Sequence, residues 1–109
     1  MEHKNLTFAE MMFFLKDGYK AAREGWNGKN MCIFVTEGSE VPISKCKKAT
    51  QDAVACVNSS KIGDATIAGT EYVVKINPHI DMVCADGTVT CGWLASQTDM
   101  IARDWYTLQ

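Results

Sequence analysis

The run Trp93-Leu94-Ala95-Ser96-Gln97-Thr98-Asp99-Met100-Ile101-Ala102-Arg103-Asp104-Trp105 constrains this chain more than any other stretch. Ser96 followed three residues later by Asp99 is a variant of the helix capping box, in which a hydroxyl and a carboxylate each satisfy the other residue's backbone N–H. Met100 and Ile101 place apolar surface just inside the cap. The run therefore predicts a strand end at Trp93, a tight polar corner, a short helix, and a terminal strand starting near Trp105. Such a corner gathers hydroxyls and backbone N–H groups at one spot, which suits an anion or a polar ligand. It also serves as an ordinary cap with two tryptophans packed in the core, as most caps do. Ser96, Gln97, Thr98 and Asp99 are candidate binding residues on the first reading.

The chain begins with a second capping signal. Thr7-x-x-Glu10 is a capping box, and Leu6 is placed to staple against Met11. Phe8, Met11, Met12 and Leu15 recur at helical spacing and define one apolar face. Phe13 and Phe14 widen it, and Asp17-Gly18 ends the helix. A face this wide fits either one deep core contact or burial on two sides, the second against another subunit. His3 falls in an N-terminal tail expected to fray.

Two hairpin regions follow from turn chemistry. Residues 19–24 read as a short strand and residues 31–36 as a buried one, joined by Gly25-Trp26-Asn27-Gly28-Lys29-Asn30. Sequence neighbours cannot easily bury a tryptophan in such a turn, so Trp26 either folds back on the sheet or waits for a flat ligand. An indole face stacks a nucleobase for about 1–3 kcal/mol. Asn27 can read a base edge, and Arg23 or Lys29 can meet a phosphate. Further on, residues 71–76 are β-rich up to Asn77-Pro78. Asp86-Gly87 then signals a two-residue hairpin between residues 79–84 and 88–93. That register sets Cys84 opposite Val89, Met82 opposite Cys91 and Ile80 opposite Trp93 on an apolar face, with Asp81 opposite Gly92 on the other. Asp81 is then either a solvated strand carboxylate or an acceptor for a ligand hydroxyl or amino group. Trp93, if it faces the core, serves as a stacking platform only where its ring reaches past the sheet edge.

The middle is the least patterned part. Residues 37–42 read as a turn. Ser44 is a candidate cap for a helix over residues 45–57, broken by Asn58-Ser59-Ser60 and Ile62-Gly63-Asp64, with a short extended piece at residues 65–68. An insertion of this kind shapes a binding mouth or is inert.

At 109 residues the chain is expected to be a single domain. A net charge of −2 argues against a binder of nucleic-acid polymers, which usually carries a basic face, but leaves room for a small anion held by local cations. No apolar run approaches the roughly 20 residues that span a membrane. Five cysteines, none in a C-x-x-C pair and with no export signal, fit free thiols and a cytoplasmic setting. The chain holds no zinc-spaced Cys/His cluster and no phosphate-cradling glycine loop. Ser96 has no evident base, although His79 can approach through the hairpin, and a triad also needs an orienting group and an oxyanion site. A binding module is the more natural reading, with no catalytic residue, cofactor or metal expected.

Arg23-Glu24-Gly25-Trp26-Asn27-Gly28-Lys29, Pro78-His79-Ile80-Asp81-Met82, Ala85-Asp86-Gly87 and the run from Trp93 to Met100 with Asp104-Trp105 resemble a small phage and prophage family. Its best-known members are Thoeris anti-defence proteins of the second type. The likeness covers about two-thirds of the chain and leaves residues 38–70 as a variable insertion. It implies sequestration: such proteins hold the cyclic ADP-ribose isomer made by a Thoeris TIR-domain protein without cleaving it. They assemble as homotetramers with pockets between subunits, and some hold cyclic oligonucleotides at separate sites.

The expectation is an α+β domain with an N-terminal helix packed on an antiparallel β-sheet, a middle insertion and a short C-terminal helix. Its expected function is non-enzymatic capture of a cyclic nucleotide in the infected bacterial host cell, by a homo-oligomer. The expected ligand set is Arg23, Trp26, Asn27, Lys29, Asp81, Trp93, Ser96, Gln97, Thr98 and Asp99. Two other readings stand beside it, a small phosphodiesterase or glycohydrolase of the same nucleotides and a structural phage assembly protein.

Overall fold

The computed structural model describes residues 3–26 and 30–108. In chain order the elements are α1 (Phe8–Lys16), β1 (Lys20–Arg23), β2 (Cys32–Thr36), β3 (Ser39–Pro42), a 3-10 turn (Ile43–Lys45), α2 (Lys48–Ile67), β4 (Val73–Ile76), β5 (His79–Val83), β6 (Val89–Cys91), α3 (Gln97–Ile101) and β7 (Trp105–Leu108). The class is α+β, as expected. The chain divides into two compact units, one of Met1–Glu37 with Pro78–Gln109, the other of Gly38–Asn77.

In the first unit the strands form one antiparallel sheet in the order β6-β5-β2-β1-β7. The Thr7–Glu10 capping box starts α1, and Gly18 takes φ +99° just beyond its C-cap, Asp17. The helix packs on β1, β2 and β7. Met11 and Leu15 from its inner face join Leu6, Ala21, Ile33 and Trp105 in the buried core. Each fully buried side chain of this size contributes about 1.5–3 kcal/mol. Phe14 turns toward the N-terminal segment, while Phe13 stays 71% exposed, so only part of the widened helix face is buried within the unit. His3 is not frayed. Its ring stacks on Phe14 at 4.1 Å, its N–H donates to Thr107 Oγ1, and its carbonyl accepts from the Thr107 N–H.

The β5–β6 hairpin corrects the expected register. Asp81 pairs with Cys91, Met82 with Thr90 and Val83 with Val89. The tip is a three-residue loop rather than a two-residue one: Cys84 accepts from the Gly87 N–H and donates to the Thr88 carbonyl, with Gly87 at φ +89°. Asp-Gly serves this bulged turn as well as the tighter one, because only its glycine must enter the left-handed region. A second positive-φ glycine, Gly92 at +84°, then brings Trp93 alongside Ile80, to whose carbonyl its N–H donates. The pairings expected for Cys84 and Met82 are therefore displaced by one residue, while Trp93 still reaches the core side.

In the second unit β3 and β4 pair antiparallel from Ser39–Ile76 to Pro42–Val73, so a strand replaces the expected turn. The middle helix also differs from expectation. It begins at Lys48 behind Lys47, an N-cap without a side-chain hydrogen bond, while Ser44 lies in the 3-10 turn and donates its N–H to Glu71. It runs through both expected breaks and over the expected extended piece, and departs from helical geometry only at Asn58. Serine and glycine inside a helix each cost at most about 1 kcal/mol, so they kink or weaken it without ending it.

No helix among the described residues is long and apolar enough to cross a membrane. All five cysteines are free.

Candidate functional site

The capping box predicted at Ser96 is formed. Ser96 Oγ accepts from the Asp99 N–H, and the Ser96 N–H donates to Asp99 Oδ2, each at 3.0 Å. This fixes the Asp99 side chain before any long-range contact is counted. Its other oxygen, Oδ1, accepts from Arg23 Nη1 at 2.8 Å and from Trp26 Nε1 at 3.3 Å. Its backbone carbonyl accepts from Trp105 Nε1 at 2.9 Å. One residue of a five-residue helix thus ties α3 to the end of β1, to the turn that follows it and to β7.

Asp104 completes the arrangement. Its Oδ1 accepts from Arg23 Nε at 2.9 Å and its Oδ2 from the Gly25 N–H at 2.8 Å. The approach is so close that a Cβ at Gly25 would lie 2.8 Å from Asp104 Oδ2. Asp104 hydrogen-bonding raises the Arg23 pKa against the effect of burial, with help from Asp99. The Arg23 guanidinium in turn holds the Asp104 carboxyl below its ordinary value. Burial pushes Asp99 upward, but the Ser96 N–H, the guanidinium and the Trp26 indole outweigh it and leave the carboxyl lowered. Two carboxylates therefore more than offset one cation within the chain.

Three indoles meet at the same place. Trp105 is fully buried, with Trp26 edge-on at 5.3 Å and Trp93 edge-on at 6.1 Å. Trp26 folds back on the core yet also lines a cleft of about 510 Å³ with Arg23, Glu24, Asn30, Met31 and Tyr106. A second cleft of about 440 Å³ is lined by Arg23, Gln97, Thr98, Ile101 and Ala102. Both fall in the usual range for small-molecule pockets.

Of the predicted residues, the fold brings together Arg23, Trp26, Trp93, Ser96, Gln97, Thr98 and Asp99. Asp81 lies elsewhere, in the middle of β5. It is 4% exposed, so it is not a solvated strand carboxylate. It accepts from the Thr36 hydroxyl and the Gly92 N–H, and His79 Nε2 lies 3.2 Å away. The Thr36 hydroxyl contributes most to holding its pKa low. Asn27 and Lys29 lie outside the described residues. Asp104 and Trp105 are central to the site but were not among the predicted ligand residues. Their role appears only when β1 and β7 are set in register, with Arg23 opposite Trp105. Among the described residues, no group of three or more His, Cys, Asp and Glu side chains could hold a metal ion.

The segments that build this cluster lie within residues 6–108, which match the family described as Tad2-like, Thoeris anti-defense 2-like domain. The chain belongs to the Thoeris anti-defense 2-like family. It is similar to "Thoeris anti-defense 2" of Bacillus phage SP01, at 30% identity over 102 residues, which covers 92% of this chain and 91% of the phage protein. As a Thoeris anti-defense 2-like protein it falls among anti-defence proteins of phage type, and the match runs through the middle unit as well as the sheet.

Proposed function

We propose that this Thoeris anti-defense 2-like chain captures a cyclic ADP-ribose-type signalling nucleotide and holds it intact, so that the signal never reaches its effector. Capture requires affinity and no stabilisation of a transition state, so a site of aromatic and polar groups suffices. The observation that carries the reading is Trp26, which lines a cleft while its indole N–H is held by Asp99. The base stacks on Trp26, and Gln97 and Thr98 in the adjoining cleft satisfy ribose and base polar groups. Arg23 contributes N–H groups rather than net positive charge, since two carboxylates already more than offset it. The protein works as a homo-oligomer, a tetramer by resemblance to its family, and the 71% exposed Phe13 on α1 gives that assembly an apolar contact. The setting is the infected host cell.

Incubation with a cyclic ADP-ribose isomer, followed by heat denaturation and mass spectrometry of the supernatant, tests the proposal. Recovery of the intact molecule in proportion to protein supports capture. Fragments would make the protein a phosphodiesterase or glycohydrolase instead, and absence of binding with assembly intact would favour a structural role.

A further inference from the structure

Asp99 sits at the crossing of three constraints. The capping box fixes its carboxylate on α3, Arg23 fixes the same carboxylate from β1, and Trp105 fixes its backbone from β7. A group held from three sides is a stiff reference point. The indole N–H of Trp26 bonds to that point, at the oxygen already shared with Arg23. From the other side, Asp104 holds the Gly25 N–H, one residue before the indole. The edge-on ring of Trp105 then limits tilt.

We infer that Asp99 is a positioning residue: it acts through Trp26, a residue lining the cleft, by setting the angle of its indole. This rests on the capture reading given above and adds how the stacking surface is set before a ligand arrives. A ring free to rotate loses part of its stacking energy to ordering, whereas a held ring does not. The Asp99 carboxylate is 11% exposed and already has donors on both oxygens, so its effect on the ligand passes through the ring it orients.

The test pairs spectroscopy with a double-mutant cycle. Asp99→Asn keeps an acceptor of nearly the same shape and removes the charge. Trp26→Phe keeps a stacking ring and removes the N–H that bonds to Asp99. In 15N-indole spectra, Asp99→Asn should move the Trp26 Nε1–H resonance while the Trp93 resonance stays near its place. In calorimetric titration with a cyclic ADP-ribose isomer, Asp99→Asn should weaken binding by about tenfold, which is about 1.4 kcal/mol. Placed in Trp26→Phe, the same substitution should change affinity less than twofold. An equal loss in both backgrounds would overturn the inference, because Asp99 would then act on the ligand directly or through the fold at large. An unmoved Trp26 resonance would overturn it as well. If the wild type binds no nucleotide, the capture reading falls, and the indole spectra alone decide whether Asp99 orients Trp26.

Discussion

Trp105, the one tryptophan with no exposed surface, donates its indole N–H to the backbone carbonyl of Asp99 at 2.9 Å. The hydrogen bond joins the centre of the core to the residue that organises the candidate site. Damage to the core and damage to the site are therefore linked. Trp105→Phe removes the donor, leaves the Asp99 carbonyl unpaired and opens a small void. A loss of about 2–4 kcal/mol in urea unfolding is expected.

Acid should loosen this region. Asp99 and Asp104 both have pKa values lowered from 3.8 in the folded chain. A depressed carboxyl contributes stability above its unfolded value and loses it as pH falls through the folded one. The contribution is therefore complete at neutral pH and disappears below about pH 4. Arg23→Met should flatten the fall between pH 5 and pH 2, which thermal melts across that range would reveal.

Gly25→Ala probes the grip of Asp104. The added methyl would come 2.8 Å from Asp104 Oδ2 and 3.1 Å from Arg23 Nη2, so the carboxylate must retreat from the Gly25 N–H. Because the groups are partly exposed, the expected cost is about 1–2 kcal/mol. It should be smaller in an Asp104→Ala background, which a denaturation cycle measures.

Trp26→Ala removes the proposed stacking surface. Loss of a base–indole stack worth about 1–3 kcal/mol predicts roughly five- to 150-fold weaker nucleotide binding by calorimetry. Unchanged affinity would take Trp26 out of the site.

Phe13→Glu addresses assembly. The side chain is 71% exposed and lies outside the core cluster, so the melting temperature of the isolated chain should hardly move. Light scattering should show a smaller particle if this face joins copies of the chain, and no change if it does not.

The parts legible in the sequence were those set by local chemistry. Thr7–Glu10 and Ser96–Asp99 each contain both halves of a capping box within four residues, and both boxes form. The Asp104–Arg23 pair spans 81 positions and depends on the β1–β7 register, which no local pattern encodes. The length of α2 was hidden for another reason. None of its residues is buried, so it lacks the periodic apolar stripe that marks a helix in sequence. The β5–β6 tip was ambiguous because Asp86-Gly87 accepts two loop lengths, and the choice moved Asp81 from opposite Gly92 to opposite Cys91. Asp81 still meets Gly92 through its side chain, by way of the backbone freed at the second bend.

The outer edge of β7 is already taken by the beginning of the chain. Leu6 exchanges hydrogen bonds with Trp105, and the His3 carbonyl accepts from Thr107. A strand so occupied cannot be extended by a neighbouring molecule's backbone. Any chain that docked along β7 would therefore have to do so through side chains, and a peptide seeking to lengthen the sheet there would first have to peel away residues 3–6.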